Sequence, residues 1–200
     1  MKKVLFAVLL ISCVLAVPSF AGDAIAGKAK AATCAGCHGA DGNSVASNFP
    51  NLAGQHASYI VKQLHDFKSG RRSNAIMNGM AAPLSDDDIA NVAAYFAAQK
   101  VKLGTTAADK LEAGQTLYRA GNATSGVPAC MACHGPTGNG NPQASFPSLS
   151  GQHADYVAAQ LKSFRKGERA NDAGSMMRGV AAKMSDAEIE AVAQYVQGLH

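Results

Sequence analysis

The sequence predicts an all-α protein built from two tandem domains related by internal duplication. Three observations carry that expectation. Cys34-Ala35-Gly36-Cys37-His38 returns as Cys130-Met131-Ala132-Cys133-His134. The residues around the two motifs match in order over nearly the whole chain after residue 21. Apolar positions recur at helical spacing, and no stretch alternates convincingly as a strand would.

Residues 1–21 read as a signal peptide. Lys2 and Lys3 open it, an apolar run covers 4–17, and Pro18-Ser19-Phe20-Ala21 offers small residues for cleavage after Ala21. A second reading takes Leu10-Ile11-Ser12-Cys13 as a lipidation box with Cys13 as the new terminus. The apolar run continues past Cys13 to a good conventional site, which favours the first reading. Either route exports the chain to the periplasm, free or associated with the membrane. No later stretch is apolar enough to span a bilayer. The expected boundaries are 22–103 for the first domain and 104–200 for the second. Their joint lies near Lys100-Val101-Lys102-Leu103-Gly104-Thr105-Thr106, which lacks apolar periodicity.

The helices follow in order. Residues 24–32 and 109–120 suggest an opening helix in each half. Tyr59, Gln63, Leu64 and Phe67 recur as Tyr156, Gln160, Leu161 and Phe164 and suggest a middle helix, closed by Gly70 or Gly167. Ser85-Asp86-Asp87-Asp88 and Ser185-Asp186-Ala187-Glu188 are capping-box starts of a closing helix. Ile89, Val92, Ala93 and Phe96 then follow at core spacing, as do Ile189, Val192, Ala193 and Val196. The second half carries an insertion, 121–128, before its motif.

Composition bounds the function. The chain has 18 basic and 14 acidic residues, and Lys2 and Lys3 belong to the signal. The remainder is too balanced to suggest nucleic acid. Each half is about ninety residues, a size that buries a limited share of its surface. It has no Trp and is rich in Ala and Gly. Scaffolds this small usually need a staple.

The motif supplies one. Apart from Cys13, the only cysteines are Cys34, Cys37, Cys130 and Cys133. A redox dithiol would want a strand-helix context, and a zinc site would want the two pairs much closer in sequence. Disulfides leave the two histidines unexplained. Cys-x-x-Cys-His is the signature of covalent haem attachment. Two thiols add across two vinyl groups, and the short turn brings His38 or His134 beneath the iron. Two covalently attached haem c groups are therefore expected.

A sixth ligand should occur at the same register in both halves. Met80, Met176 and Met184 fail that test against Val180, Ile76 and Leu84. Met77 and Met177 pass it. His56 and His153 pass as well, so the repeat alone leaves a bis-histidine iron open. These two follow Gly-Gln at an expected helix start, which suits a satisfied histidine touching a haem propionate.

With these landmarks, each half resembles a class I cytochrome c, and the whole chain resembles the dihaem cytochrome c4 family. Asn-Phe-Pro-x-Leu-x-Gly-Gln, Met-x-Gly and the closing Gln197-Gly198-Leu199-His200 carry the likeness. The resemblance implies two domains related by a pseudo-twofold axis, with Pro50 and Pro147 carbonyls orienting the proximal imidazoles. The short basic segment between Gly70 and Met77 leaves the shape of the first methionine loop open. With His/Met iron at both sites, no position is vacant for substrate, so the expected role is an electron carrier and not an enzyme. The implied partners are a quinol-oxidising complex, a terminal oxidase or other periplasmic cytochromes. The rivals are a dihaem peroxidase, a haem dehydrogenase, or a bound subunit of a larger oxidoreductase. Lys62, Lys68, Arg71 and Arg72 either guide a docking partner or form a solvated face.

Overall fold

A computed structural model describes residues 22–200. The signal-peptide reading, its cleavage after Ala21 and the lipidation reading of Cys13 lie outside the described residues. Among the described residues each half holds five α-helices, and the second adds a short 3-10 turn at Ala173–Ser175. The first has α1 (Ala24–Ala31), α2 (Ala35–His38), α3 (Ala57–Lys68), α4 (Ala75–Ala81) and α5 (Asp86–Ala97). The second has α6 (Ala108–Ala120), α7 (Met131–His134), α8 (Ala154–Lys166), α9 (Met176–Ala181) and α10 (Asp186–Gln197). Among the described residues there is no strand, only the isolated bridges Asn122–Val127 and Asn141–Phe146. The first of these closes the 121–128 insertion into a tight turn. No described helix is long and apolar enough to cross a membrane.

The caps explain the helix starts. Asp23 accepts from the amides of Ile25 and Ala26 to begin α1. Ser85 and Asp88 form a complete capping box on α5, and Ser185 and Glu188 do the same on α10. His56 and His153 occupy the N-cap positions of α3 and α8. The closing helix of each half packs on its opening helix at a glycine. A Cβ on Gly27 would lie 2.0 Å from the carbonyl oxygen of Asn91, and one on Gly114 would lie 2.3 Å from that of Ala191. Neighbouring backbone cannot retreat as a flexible side chain can. Gly114→Ala is therefore expected to destabilise the fold by roughly 1–3 kcal/mol despite the better helix propensity of Ala. Thermal melting checks this, with an unchanged or raised midpoint as the contrary result.

Each half has its own core. The first gathers Ile60, Leu64, Phe67, Ile89, Val92 and Phe96. The second gathers Leu117, Tyr118, Leu161, Ile189, Val192 and Val196. The joint between them is non-helical, but it is tethered to both. The amide of Lys102 donates to Asn43 Oδ1 at 2.8 Å, and that of Gly104 to the Gln197 carbonyl at 3.0 Å.

The two halves meet through a reciprocal set of polar contacts. Gln152 Oε1 accepts from the Asn51 amide at 2.8 Å, and its Nε2 donates to the Asn51 carbonyl at 2.9 Å. Gln55 makes the same pair of bonds with Ser148, at 2.9 and 3.0 Å. His56 Nε2 lies 2.6 Å from the Asn139 carbonyl, and His153 Nε2 lies 3.0 Å from that of Ser44. Both histidines are satisfied as expected, but by the backbone of the opposite half.

Candidate haem sites

The cysteine motif folds as one helical turn in each half. The amides of Cys37 and His38 both reach the Cys34 carbonyl, at 3.2 and 3.0 Å, and Cys133 and His134 repeat this on Cys130 at the same distances. Positions i, i+3 and i+4 share a helix face, so two thiols and an imidazole point the same way. Gly39 and Gly135 end these turns at φ 77°, a backbone conformation that favours glycine. No disulfide joins any of the four cysteines. Burial pushes the Cys130 thiol up to about 11 and raises that of Cys34 as well. The two Cys-x-x-Cys-His turns belong to separate halves, each beside its own core.

Both proximal imidazoles are buried and fixed. His38 Nδ1 lies 2.9 Å from the Pro50 carbonyl, and His134 Nδ1 lies 3.0 Å from that of Pro147. With Nδ1–H donating, Nε2 is the unprotonated nitrogen, the form an iron ligand needs. Burial lowers both imidazole pKa values, outweighing the opposing effect of the proline carbonyls, and so favours the neutral ring. The Pro50–Asn51 peptide that orients His38 is the one whose N–H is held by Gln152. The Pro147–Ser148 peptide is held in the same way by Gln55. Each imidazole is thus steadied from the opposite half.

Met77 packs partly buried against the first core, as do Cys34, Leu52 and Leu84. Met177 packs against the second core with Cys130, Met131 and Leu149. Met80 and Met176 are exposed, and Met184 is core filler. The two register-matched methionines do not lie on open loops. Each sits in the first turn of a short helix, α4 or α9. Asn74 supplies the missing signal in the first half, because its side chain accepts from the Met77 amide at 3.0 Å.

Arg72 departs from both expectations, while Arg71 and Lys68 remain exposed. Arg72 is buried at the seam between the halves, as is its counterpart Arg169. Arg72 donates to Gln63, Tyr156 and Gln160, while Arg169 donates to Gln160, Tyr59, Gln63 and Asn171. The guanidiniums also lie 4.6 and 4.5 Å from the ring centroids of Phe67 and Phe164. Burial pushes the Tyr156 phenol up, but the two guanidiniums outweigh this and hold it below the ordinary tyrosine value. Lys62 and Arg71 pair with Asp66, and Lys68 donates to the Leu84 carbonyl. Sequence reasoning missed this network because a repeat marks matched residues without saying which half they touch.

The donor sets fit the group the motif implies: paired thiols, an imidazole with Nε2 unprotonated, and an apolar wall in each half. Comparison with known proteins agrees. A family model described as cytochrome c matches residues 24–100 and 111–200. Cytochrome c4 of Pseudomonas aeruginosa is 49% identical over 201 residues, covering 100% of both chains. A thiosulfate dehydrogenase electron acceptor of Stutzerimonas stutzeri is 46% identical, covering 82% of this chain and 78% of its own. The crystal structure of reduced recombinant cytochrome c4 from Pseudomonas stutzeri superposes with a TM-score of 0.87 at 50% identity, covering 90% of this chain and 100% of that one. The chain therefore belongs to the cytochrome c4 family: two tandem cytochrome c domains, two covalently attached haem c groups, and the role of an electron carrier, not an enzyme.

Proposed function

We propose that His38 and Met77 ligate one iron, that His134 and Met177 ligate the other, and that the chain shuttles single electrons in the periplasm. Each haem, when bound, supplies a one-electron iron couple. The protein holds the proximal imidazoles through Pro50 and Pro147, keeps water from the apolar walls, and fixes the two halves rigidly together. Domain limits of 22–103 and 104–200 fit this reading, because each range contains one complete core. The observation that carries it is the doubled set of motif turn, backbone-oriented imidazole and core-facing methionine. A quinol-oxidising complex as donor and a terminal oxidase or another periplasmic cytochrome as acceptor suit a carrier of this kind. So does free or membrane-associated residence after cleavage near Ala21. The likeness to a thiosulfate dehydrogenase electron acceptor favours a second donor, a sulfur-oxidising dehydrogenase.

The ferric protein is expected to show the weak far-red sulfur-to-iron band at two equivalents per chain. Met77→Ala removes about half of it under this assignment. An undiminished band in that variant would overturn the Met77 assignment.

A further inference from the structure

Besides the 121–128 insertion, the pseudo-symmetry fails in the segment before each register-matched methionine. Arg72 precedes Met77 by five positions, whereas Arg169 precedes Met177 by eight. The longer second loop contains two successive left-handed residues, Gly174 and Ser175, both at φ 58°.

Arg72 at the start of the shorter loop reaches across the seam, but the part next to Met77 is anchored within its own half. Asn78 Nδ2 donates to the carbonyls of Phe67 and Arg72, and Asn78 Oδ1 accepts from the Asn74 amide at 2.7 Å. Arg178 stands where the second half would need that asparagine, and it makes no such tie. Its amide and Nε instead donate to the buried carboxylate of Asp172, at 3.0 and 2.8 Å.

Asn171, next to Asp172, leads across the seam. Its Nδ2 donates to Asp66 Oδ2 at 2.7 Å and to Gln63 Oε1 at 3.0 Å. Its carbonyl accepts from Lys62 Nζ at 2.7 Å. The reverse contact has no means of forming, because Ala159 and Ser163 occupy the positions of Lys62 and Asp66 in the second half.

We propose that Asn171, gripped by Asp66 and Lys62, is an inter-domain strap that positions Met177. The first domain thereby holds the second methionine in place, while the residues on either side of Met77 are tied together by Asn74 and Asn78 of its own domain. One side of the Asn171-Asp172 dipeptide is fixed to the first domain. The other side fixes the amide immediately after Met177. Removing the grip frees the loop in one domain only. The inference rests on Met177 being an iron ligand.

The test uses the full-length ferric holoprotein and imidazole as the competing ligand. In a Met77→Ala background, the remaining far-red band reports on Met177 alone. Asn171→Leu is expected to lower the imidazole concentration that abolishes this band by about tenfold, since it removes hydrogen bonds to a charged partner. Lys62→Met, at a partly exposed position, is expected to act in the same direction and serves if the leucine variant folds poorly. In a Met177→Ala background, where Met77 alone reports, neither substitution should change the imidazole sensitivity. Unchanged sensitivity of the Met177 band overturns the strap while leaving the ligand assignment intact. Equal loosening of both methionines overturns it too, by showing general destabilisation. A full two-equivalent band in the single Met177→Ala variant overturns the ligand assignment and the strap with it.

Discussion

Replacing Cys34 and Cys37 by Ser is expected to yield a chain lighter by one haem, with half the Soret absorbance and a first domain that no longer folds. The reason lies in the core. Ile60, Leu64, Phe67, Ile89, Val92 and Phe96 are its main large aliphatic and aromatic members, and Ala31, Ala81 and Ala93 supply much of the rest. A unit of this size buries only about 60% of its unfolded surface, leaving little margin for losing a large apolar group. Cys34 and Met77 pack against that core, so a haem held by these residues would add its apolar surface to it. The second domain keeps its own core and its own attachment turn and should retain its haem, at a lower melting point because it loses the bonds that Gln55 makes to Ser148. Mass spectrometry counts the haems, and circular dichroism should show roughly half the helical signal lost. A variant that loses one haem yet keeps its full helical signal would show that the polypeptide core suffices.

The second large effect is expected from Gln55→Ala combined with Gln152→Ala. Both side chains are buried, and each satisfies one amide and one carbonyl of the opposite half. Truncation leaves six main-chain groups without partners, four across the seam and the amides of His56 and His153. At about 1–3 kcal/mol for each unsatisfied buried group, the sum approaches the whole stability of a small domain. The wild type is expected to unfold in a single calorimetric transition, because neither half can loosen without orphaning groups in the other. The double variant should melt in two steps, the first well below the wild-type midpoint. One sharp transition at an unaltered temperature would show that the seam is held by other contacts, with the Arg72 and Arg169 network as the obvious candidate.

Much of this was legible in the sequence. Cys34, Cys37 and His38, with their copies, declare haem attachment because the chemistry demands that spacing. The closing helices were legible from Ser85 and Ser185, since a capping box is local and its residues lie three apart. The opening helices were placed within one residue of where they form. What stayed hidden was non-local. Arg72 reads as a surface charge because its partners, Tyr156 and Gln160, lie more than eighty positions away. His56 reads as a candidate ligand or propionate contact because nothing nearby in sequence reveals that Asn139 will face it. The helices carrying Met77 and Met177 were missed because each is shorter than two full turns and shows no periodicity of its own. The register test nonetheless separated these two from Met80, Met176 and Met184, whose exposure or core packing the sequence does not display.

Gln55 and Gln152 grip peptide groups, which every residue except proline presents in the same form. The pairing is therefore indifferent to most drift in the side chains around it. After a gene duplication, one copy can gain acids and the other bases while the two faces continue to fit. The present chain shows a small difference of this kind: after residue 21 both halves hold eight basic residues, but the first has six acidic residues and the second eight. A joint written in backbone lets two inherited copies become electrically unlike without coming apart.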